Sequence, residues 1–524
     1  MQRPSSCPLF GRCSPARSTD IRTPSNCAPF CHAVSRPGTH TLAKVARATP
    51  GRGTLPAFSS EQRMWLVRGF LAVVVTVLVA GTLSGEQAAR ADEGPVNGPT
   101  PQSSPGNPPS PLQTWIDENI KPPQLTAGPE SAEEQQAALW RGILSSPTGD
   151  QTFDAWPANL AALEPGQIIE ARDVTATTAQ HMAAPIERAV LLKFRSTSAT
   201  GTPSFGTATL IIPAASWNGP GPRPVEVDAM PINALGLHCT PGYQLSHGLL
   251  DRTNTDLVWF LPAIWSALNK GHAVLLPDHE GPLMAYGETN VAGHMMLDSI
   301  RAVRNALPEF GNSRYVVDGY SGGAIAAYAT AMLQSEYAPE LSDVLMGVAS
   351  GGLAADYRNI AHRFNGWIAS GILLSVSTAI AREHPEVLQY MNHLAQWVTT
   401  SPTRDLCGDA DGPLGVVGIP MDVATNISNP LDSPMADNLF RQLDLSDRRS
   451  GVPLYIYHGA WDPWIPLEDA QRMYGEQCSR GVPAIFRTVP GEHLSSYVTS
   501  YPGLSEWIDA RLRGEPAPSE CPGR

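Results

Sequence analysis

Residues 315–333 read YVVDGYSGGAIAAYATAML, and this stretch decides the fold class. Its first residues are apolar and β-branched, as in a buried strand, and its later residues are small, as in a packed helix. Between the two parts, residues 319–323 read GYSGG, which fits the pattern G-x-S-x-G. The glycines let the backbone turn sharply, and this exposes the Ser321 hydroxyl above the sheet. A glycine turn with an incidental serine is the plain alternative. The turn would be built by Gly319, Tyr320 and Gly323.

The sequence on both sides of this stretch is that of an α/β protein. Short apolar runs alternate with helical stretches, which is typical of a mostly parallel sheet covered by helices. We predict helices at residues 297–306, 323–334 and 467–477. We predict nine strands, at residues 168–171, 189–194, 207–212, 225–230, 273–277, 315–319, 344–349, 454–457 and 484–488.

A different pattern occupies residues 354–446 and predicts a helical cap, or lid, inserted into the sheet domain. Strand signals fade there, and the sequence becomes helical with proline breaks. The core is thereby divided into residues 113–353 and residues 447–524. Within the insertion, residues 366–381 read GWIASGILLSVSTAIA. A buried helix and a cap helix that faces an apolar ligand both fit this run, which is too short for the roughly 20 residues of a membrane span.

A serine nucleophile needs a base, and the base needs an acid to orient it. In α/β-hydrolases these three residues follow the chain order serine, acid, histidine. Downstream of Ser321, the strand PLYIY leads into HGAWDPWIP and puts Asp462 just beyond its carboxyl end. The strand AIFRTV leads into PGEHLSS and puts His493 in the following loop. Because such loops converge on one edge of a parallel sheet, we predict a catalytic triad of Ser321, Asp462 and His493.

Four neighbouring residues compete for the roles of acid and base. Glu468 and Asp469 fall in a predicted helix, where solvent exposure or stabilisation of the helix N-terminus explains them. Glu492 precedes the candidate histidine and would point away from the serine. His458 ends the preceding strand, where a packed or hydrogen-bonded histidine is favoured over a base. Taken singly, the candidate aspartate could be a turn residue and the candidate histidine a structural one.

The tetrahedral intermediate of acyl transfer needs two N–H donors for its oxyanion. One is expected from Gly322, the residue after the nucleophile at the start of its helix. The second should come from the loop after an earlier strand. The strand HAVLLP ends in DHEG, which places Asp278 in such a loop, although an ordinary polar turn is the alternative.

The N-terminal region is predicted to lie outside the folded enzyme. Residues 64–91 have a positive charge, an apolar run and the small-residue site Ala89-Arg90-Ala91, which together predict a signal peptide cleaved near Ala91-Asp92. A membrane anchor is the alternative, but the run is short. Residues 1–63 are interpreted as a non-native leader or mis-assigned start, with a cysteine module as the alternative. Residues 92–112 form a disordered linker rich in Pro, Gly and Ser.

The net charge and the number of cysteines change when residues 1–91 are set aside. The whole chain of 524 residues has 36 Lys and Arg against 49 Asp and Glu, a net charge of −13. Residues 92–524 keep 36 − 11 = 25 basic and 49 − 3 = 46 acidic residues, a net charge of −21. This acidity argues against a nucleic-acid partner, which needs clustered basic residues. Four cysteines remain, and in an exported chain they allow three pairings into two disulfides.

Several motifs together resemble the secretory lipases of the lipase A type, found in fungi and actinobacteria. The motifs are HCTPGY at 238–243, DHEG at 278–281, GYSGGA at 319–324, SEYAPEL at 335–341, HGAWDPWIP at 458–466 and GEH at 491–493. The resemblance covers roughly residues 112–521 and implies an α/β-hydrolase with a cap over an acyl-binding tunnel. It implies Ser321 as nucleophile, Asp462 as acid, His493 as base, and Asp278 and Gly322 as oxyanion donors. It also implies the disulfides Cys239–Cys407 and Cys478–Cys521.

The sequence thus predicts a secreted, monomeric hydrolase of carboxylic esters, with an acylglycerol or another lipid ester at a lipid–water interface as its substrate. A short-chain esterase or an acyltransferase would use the same acyl-enzyme. A serine exopeptidase would need a charged pocket for a peptide terminus, and a non-catalytic binding module would normally lack part of the triad. No cofactor or metal is predicted: residues 409–412 read DADG, as in a calcium loop, but the later ligands of an EF-hand do not follow.

Overall fold

The computed structural model describes residues 107–125, 131–249, 256–408 and 418–522. The predicted leader, the signal peptide, most of the predicted linker and residues 409–412 lie outside these ranges. Across the described part of the chain, no helix combines the length and apolar character of a membrane span.

Nine strands form a single sheet, and each lies where the sequence predicts one. They are β1 (Ile168–Asp173), β2 (Ile186–Thr197), β3 (Pro203–Pro213), β4 (Val225–Ala229), β5 (Ala273–Pro277), β6 (Tyr315–Tyr320), β7 (Leu345–Gly351), β8 (Leu454–Gly459) and β9 (Ala484–Val489). Central strands such as β4, β5, β6 and β8 are buried along their whole length, as expected for strands covered on both faces.

The strand order is β1-β2-β3-β5-β4-β6-β7-β8-β9. The neighbouring pairs β1–β2, β2–β3 and β3–β5 are antiparallel. The remaining neighbours, from β5–β4 and β4–β6 to β8–β9, are parallel. The chain runs from β4 to β5 on one side and then crosses to β6 on the other side of β4. Loops after β4 and β6 therefore leave the carboxyl edge in opposite directions, and this switch point is where ligands bind in open α/β sheets.

Fourteen α-helices surround the sheet within the described residues. They are α1 (Pro111–Asn119), α2 (Ala132–Ile143), α3 (Gln151–Asp154), α4 (Thr175–Thr178), α5 (Pro241–His247), α6 (Asp256–Asn269), α7 (Thr289–Ala306), α8 (Gly322–Tyr337), α9 (Tyr357–Phe364), α10 (Ser370–Glu383), α11 (His393–Thr399), α12 (Pro434–Leu443), α13 (Leu467–Ser479) and α14 (His493–Leu512). The 3-10 helices are Leu160–Ala162, Ala179–His181, Leu237–Cys239, Pro308–Phe310, Pro339–Leu341, Pro385–Tyr390, Pro402–Asp405, Met421–Val423 and Pro430–Asp432.

The helices lie in two layers against the sheet. Helices α7, α8 and α13 bury apolar side chains on one face, in the largest hydrophobic cluster of the described residues. Helices α5, α6 and α14 bury theirs on the other face. The resulting three-layer arrangement leaves the carboxyl edge of the parallel strands for functional loops.

Helices α9 to α12 form the insertion between β7 and β8. The run that is apolar on most faces becomes α10, which is buried over most of its length. Helices α1 and α2 pack on the insertion, although the sequence assigns them to the core. The buried Gln113 amide of α1 donates to the Ile427 carbonyl at 2.6 Å, and Trp140 Nε1 of α2 donates to the Arg382 carbonyl at 2.9 Å.

The first described helix begins inside the segment predicted to be a disordered linker, residues 92–112, because α1 starts at Pro111. Ser110 caps this helix, and Pro111 occupies its first turn, where the missing N–H costs nothing.

Two disulfides connect distant parts of the chain. Cys239, before α5, is bonded to Cys407 of the insertion, 168 residues away in sequence. Cys478 of α13 is bonded to Cys521 near the C-terminus, 43 residues away. By the chain-entropy argument, each such cross-link stabilises the fold by about 3–5 kcal/mol.

Candidate active site

Ser321 lies in the sharp turn between β6 and α8, with φ 55° and ψ −119°. A non-glycine residue rarely adopts a positive φ, and such strain is held in place by surrounding structure. A Cβ at Gly319 would lie 2.3 Å from the Gly323 carbonyl oxygen, and one at Gly323 would lie 1.7 Å from the Ala229 carbonyl oxygen. Side chains are therefore excluded at both positions. The turn presents the serine at the switch point of the sheet.

His493 connects Ser321 to Asp462 by a chain of hydrogen bonds. Its Nε2 lies 2.9 Å from the Ser321 hydroxyl oxygen, and its Nδ1 lies 2.5 Å from Asp462 Oδ2. The imidazole with a proton on Nδ1 donates to the carboxylate and accepts from the serine hydroxyl. His493 is the first residue of α14, not a loop residue as predicted. This geometry lets the ring remove a proton from the serine during nucleophilic attack.

Asp462 is held as a carboxylate by the groups around it. Its side chain is fully buried, and its Oδ1 accepts from the backbone amides of Trp464 at 2.9 Å and Ile465 at 3.0 Å. His458 Nε2 lies 3.4 Å from Asp462 Oδ2. Burial alone would raise the pKa of Asp462, but the hydrogen bonds from His458, His493 and Ile465 hold it well below its usual value.

The four competing residues occupy other roles. His458 is buried next to Asp462 and donates to the Ile465 carbonyl, 3.0 Å away. Glu492 caps α14 by accepting from two backbone amides of its first turn. Glu468 is exposed. Asp469 is buried in the first turn of α13, which fits the second of its two expected roles, stabilisation of the helix N-terminus, and it accepts from Asn359 Nδ2 at 2.7 Å.

The two predicted oxyanion donors differ in the structure. Gly322 is the first residue of α8, where backbone N–H groups have no partner inside the helix. Asp278, by contrast, follows β5 and donates its N–H to the Thr207 carbonyl, 2.9 Å away on β3. Its buried carboxylate accepts from the Thr207 hydroxyl at 2.5 Å and the Gly242 amide at 2.8 Å. The predicted role of the Asp278 amide is therefore wrong, because the sheet already uses this N–H.

The insertion lies against the loops that surround Ser321. Val376 and Ala379 of α10 belong to a cluster with Leu235, from the loop after β4, and Tyr286. A Cβ at Gly322 would lie 3.4 Å from the Tyr286 ring. Helix α10 thus contributes to an apolar wall beside the nucleophile, so the two sequence interpretations of this helix are compatible.

A buried arginine of α10 fixes these loops. Arg382 is almost fully buried and donates hydrogen bonds to carbonyl oxygens of the loop after β4, the loop before α7, and segments of the insertion and α2. Burial lowers the pKa of Arg382 to about 10, so the guanidinium stays charged at neutral pH. The acceptors are Ile143 at 3.0 Å, Leu235 at 2.8 Å, Leu283 at 3.0 Å, Met284 at 3.4 Å and Arg404 at 2.9 Å.

One group of side chains within the described residues has the spacing of metal ligands, namely His238, Cys239 and Cys407. The two sulfur atoms form a disulfide, so neither is available as a thiolate.

A sequence profile of the secretory lipases matches residues 253–520. The chain belongs to the secretory lipase family. Lipase 6 of Candida albicans is 29% identical over 402 residues, which cover 72% of this chain and 84% of that lipase. The secreted triacylglycerol lipase LIP5 of Malassezia globosa is 28% identical over 378 residues, 68% of this chain and 77% of the relative.

Solved structures confirm the fold predicted for this secretory lipase. Candida antarctica lipase A matches with a TM-score of 0.64 and 24% identity, over 72% of this chain and 89% of the other. The prediction of an α/β-hydrolase of the lipase A type is therefore confirmed. Membership of the family makes the chain an ester hydrolase of the lipase class.

Some residues that position the site of this secretory lipase cannot be recognised from its sequence. The sequence predicts His458 only as a packed or hydrogen-bonded residue, and in the structure it contacts the carboxylate of Asp462. The sequence predicts Tyr320 only as part of the turn, and in the structure its hydroxyl donates to the His493 carbonyl and lies 2.6 Å from the Ser496 hydroxyl oxygen. The special role of Arg382 has one sign in the sequence, since a charged residue directly follows the apolar run of residues 366–381.

Proposed function

We propose that this chain is an exported triacylglycerol lipase that works through an acyl-enzyme on Ser321. The observation that carries the proposal is the continuous hydrogen-bonded chain from the Ser321 hydroxyl through His493 to the buried Asp462 carboxylate. The family and the relative named a secreted triacylglycerol lipase support the substrate class and the export.

In the first half of the reaction, Ser321 Oγ attacks the ester carbonyl carbon while its proton moves to His493 Nε2. The carbonyl π electrons move onto the oxygen, and Gly322 N–H donates a hydrogen bond to this oxyanion. The pair then returns to form the carbonyl, the bond to the alcohol oxygen breaks, and His493 gives its proton to that oxygen. The alcohol, a diacylglycerol when the substrate is a triacylglycerol, leaves and Ser321 remains acylated.

In the second half, water attacks the acyl-enzyme. His493 takes a proton from the water, a second oxyanion forms and collapses, and the proton returns to Ser321 Oγ as the fatty acid leaves. Asp462 keeps its charge throughout, holds the imidazole in the required tautomer and stabilises its protonated form.

An exposed apolar surface beside the triad supports an aggregated lipid substrate. It consists of Val258 and Trp259 on α6, Trp461, and Leu494 and Val498 on α14, each more than half exposed. We call this surface the apolar rim.

Contacts between neighbouring residues bring together the segments that carry the apolar rim. The Phe260 and Tyr497 rings of α6 and α14 are 4.9 Å apart. Trp461 precedes the catalytic acid and donates its amide to the Gly491 carbonyl, 3.1 Å away. Residues 257–269 and 494–505 contain no charged side chain. An uncharged apolar surface next to the reacting histidine fits an oil surface better than a dilute soluble ester.

The experiment that tests the hydrolysis uses p-nitrophenyl esters of increasing chain length and emulsified triacylglycerols. Ser321→Ala should abolish turnover of all of them. Ser505→Ala, at a half-buried serine of α14 that accepts a hydrogen bond from Lys270 Nζ, should leave turnover unchanged. Equal turnover by wild type and Ser321→Ala would overturn the proposal. Rates confined to short soluble esters would show an esterase instead.

The interface is tested with a double variant, Leu494→Ser with Val498→Ser. It should bind and hydrolyse emulsified triacylglycerol at least about fivefold less than wild type and keep its rate on p-nitrophenyl butyrate, because only apolar contact area is lost. Val398→Ser on α11 is the matched control and should change neither. Equal losses on the soluble and emulsified substrates would contradict a docking role for the apolar rim.

Export is tested by N-terminal sequencing of the protein recovered from the culture medium. The predicted N-terminus is Asp92. A mature chain that begins before Met64 would contradict the interpretation of residues 1–63.

A further inference from the structure

Two aspartates face each other on the neighbouring strands β4 and β6, just before the nucleophile turn. Asp228 of β4 is the register partner of Asp318 of β6, and the next pair along these parallel strands is Ala229 with Gly319. Partner residues of a parallel pair send their side chains to the same face of the sheet. Ser321 follows Asp318 by three residues. The two carboxyl groups, which we call the carboxyl pair, therefore leave the sheet together directly below the turn that carries the catalytic serine.

The carboxyl pair lies in the buried layer under α6 and α14. The adjacent Val227 and Val317 pack in the cluster of the opposite face, with α7 and α8. Asp228 is 8% exposed and Asp318 is 9% exposed. Asp318 Oδ1 is buried and has no hydrogen-bond partner among the described residues. Neither carboxyl group takes part in the acyl transfer, so the triad does not explain why two acidic side chains are buried here.

The environment of the carboxyl pair adds negative charge and no balancing cation. Across the described residues, no salt bridge joins a basic side chain to Asp228 or Asp318. Glu226, two residues earlier on β4, is also buried, and its Oε2 lies 3.5 Å from His272 Nδ1. Residues 257–269 of the covering helix α6 contain no charged side chain. The pair therefore lacks a counter-ion within the described part of the chain.

Tyrosine hydroxyls complete the polar surroundings of the carboxyl pair. They belong to β6, β8 and α14, and the residues are Tyr320, Tyr457, Tyr497 and Tyr501. Burial raises the pKa of each of these hydroxyls, and the nearby carboxyl groups raise the pKa values of the last three further. The hydroxyls therefore stay neutral, so they can form hydrogen bonds but cannot balance the charge of a carboxylate.

Buried carboxyl groups without a counter-ion keep their protons to a higher pH than exposed ones. Burial raises the pKa of Asp228, and the negative charge of Glu226 raises it further. Burial also raises the pKa of Asp318, with further increases from Asp228 and Glu226. A protonated carboxyl group has an O–H that can donate to its neighbour, whereas two carboxylates only repel each other. The carboxyl pair is thus compatible with the folded core in its protonated form.

We propose that the carboxyl pair is a pH-sensitive switch that turns ester hydrolysis off on the alkaline side. While the pair is protonated, β4 and β6 keep the spacing in which Ser321 meets His493. As pH rises, hydroxide takes the protons, and the carboxylates leave uncompensated negative charge between the two strands. The strands then separate at the pair, one residue before Ala229 and Gly319, and Ser321 loses its hydrogen bond to His493.

The direction of the pH effect distinguishes this switch from the chemistry of the triad. A carboxyl group whose pKa is higher in the folded than in the unfolded protein gives its full stabilisation below the unfolded value, about pH 4. That stabilisation is lost as pH rises through the folded value. A serine–histidine pair alone behaves differently, since its activity rises as the imidazole loses its proton and then stays level. The switch therefore predicts a fall in both kcat and stability on the alkaline side.

The inference rests on the proposed function for its activity readout, so wild type is measured first. kcat on p-nitrophenyl butyrate, corrected for spontaneous hydrolysis, and the free energy of unfolding in urea are followed from about pH 5 to about pH 9.5. Wild type should lose at least about fivefold in kcat between about pH 7.5 and about pH 9.5 and recover it on return to neutral pH. A wild type that is inactive at every pH would overturn the proposed function, and the unfolding curves would still test the switch.

The double variant Asp228→Asn/Asp318→Asn replaces both titrating groups by neutral groups of nearly the same shape. Its kcat should change less than about twofold over the same alkaline range, and its stability should depend less on pH than that of wild type. The infrared spectrum of wild type minus that of the variant should show the carbonyl stretch of protonated carboxyl groups at neutral pH.

Four results would overturn the proposal. They are a level kcat of wild type throughout the alkaline range, an alkaline fall of the double variant as large as that of wild type, an infrared difference without the band of protonated carboxyl groups, and a double variant that does not fold near pH 5. The last result counts because neutral amides would there replace neutral carboxyl groups.

Two single variants serve as controls. Asp343 is an exposed aspartate before β7, so Asp343→Asn should keep the alkaline fall of wild type. Glu226→Gln removes a negative charge beside the carboxyl pair and should move the fall to lower pH without removing it. A Glu226→Gln protein without the fall would assign the switch to Glu226 and His272 and overturn the proposal. Asp278, whose pKa is also raised, is present in every variant, so differences between the variants do not come from it.

Discussion

Arg382 is the residue whose loss should separate the insertion from the catalytic loops. Its guanidinium lies in the interior and donates to carbonyl oxygens of the loop after β4, the loop before α7, α2 and the insertion. Replacement by methionine keeps the apolar stem and much of the volume but removes all of these bonds. The freed carbonyls lose their donor, and a buried carbonyl without a hydrogen-bond partner costs free energy.

The expected cost follows from two opposing effects. A hydrogen bond to a charged group contributes about 1.5–3 kcal/mol net, and Arg382 makes four at 3.0 Å or less. Burying the guanidinium costs several kcal/mol, which its lowered pKa of about 10 reflects. Breaking such a buried network therefore lowers the free energy of unfolding by about 3–5 kcal/mol. For a fold of about 400 residues, this corresponds to a decrease in Tm of roughly 4–6 °C.

The assay is urea unfolding at pH 7, followed by tryptophan fluorescence, together with kcat on p-nitrophenyl butyrate. Arg382→Met should lower both stability and kcat, because Leu235 and Met284 lose their shared anchor. Arg358→Met is the matched control: Arg358 lies in the same insertion, is exposed and pairs with Asp437, so its loss should cost less than about 1 kcal/mol. An Arg382→Met protein with the wild-type free energy of unfolding and the wild-type kcat would refute the reasoning.

Three further predictions concern single carboxylates. Asp462→Asn should lower kcat about 10⁴-fold on p-nitrophenyl butyrate at pH 7, because the imidazole loses its tautomer and its counter-charge. Glu492→Ala should cost about 1 kcal/mol in urea unfolding by removing the cap of α14, and the difference should shrink as pH falls through the lowered pKa of Glu492. Burial raises the pKa of Asp278 to about 7, so the stability from its protonated form is complete below about pH 4 and is lost as pH rises through 7. Asp278→Asn mimics the protonated form and should make the free energy of unfolding less dependent on pH between 4 and 7, with an unchanged slope as the contrary result.

The centre of the sheet could be predicted from the sequence because its central strands are buried along their length. Runs such as the HAVLLP that becomes β5 are apolar throughout and end at polar turns, so the pattern marks both their type and their ends. Helices with breakers were harder. α6 contains Pro262 and α14 contains Pro502, and α14 begins at His493 itself, two residues after the glycine of a Pro-Gly pair. These signals favour a loop, and tertiary packing overrides them.

The site could be predicted only as far as chain order determines it. Ser321, Asp462 and His493 each follow a strand in an order typical of their fold, so their convergence could be inferred. The second oxyanion donor could not, since the sequence places Asp278 in a loop after a strand but does not show that its N–H donates to Thr207 of β3. Likewise, Arg382 bonds to a segment far away in sequence, the loop that contains Leu235, and no local pattern reports such a contact.

The central claim is that Ser321 carries the acyl group during turnover, and mass spectrometry of the quenched reaction tests it most directly. Wild type mixed with p-nitrophenyl butyrate and quenched in acid within milliseconds should gain the mass of one butyryl group, located by peptide mapping on the segment that contains Ser321. The same modification should be absent from Ser321→Ala. A butyryl group on another residue, or rapid turnover by the alanine variant, would contradict the account.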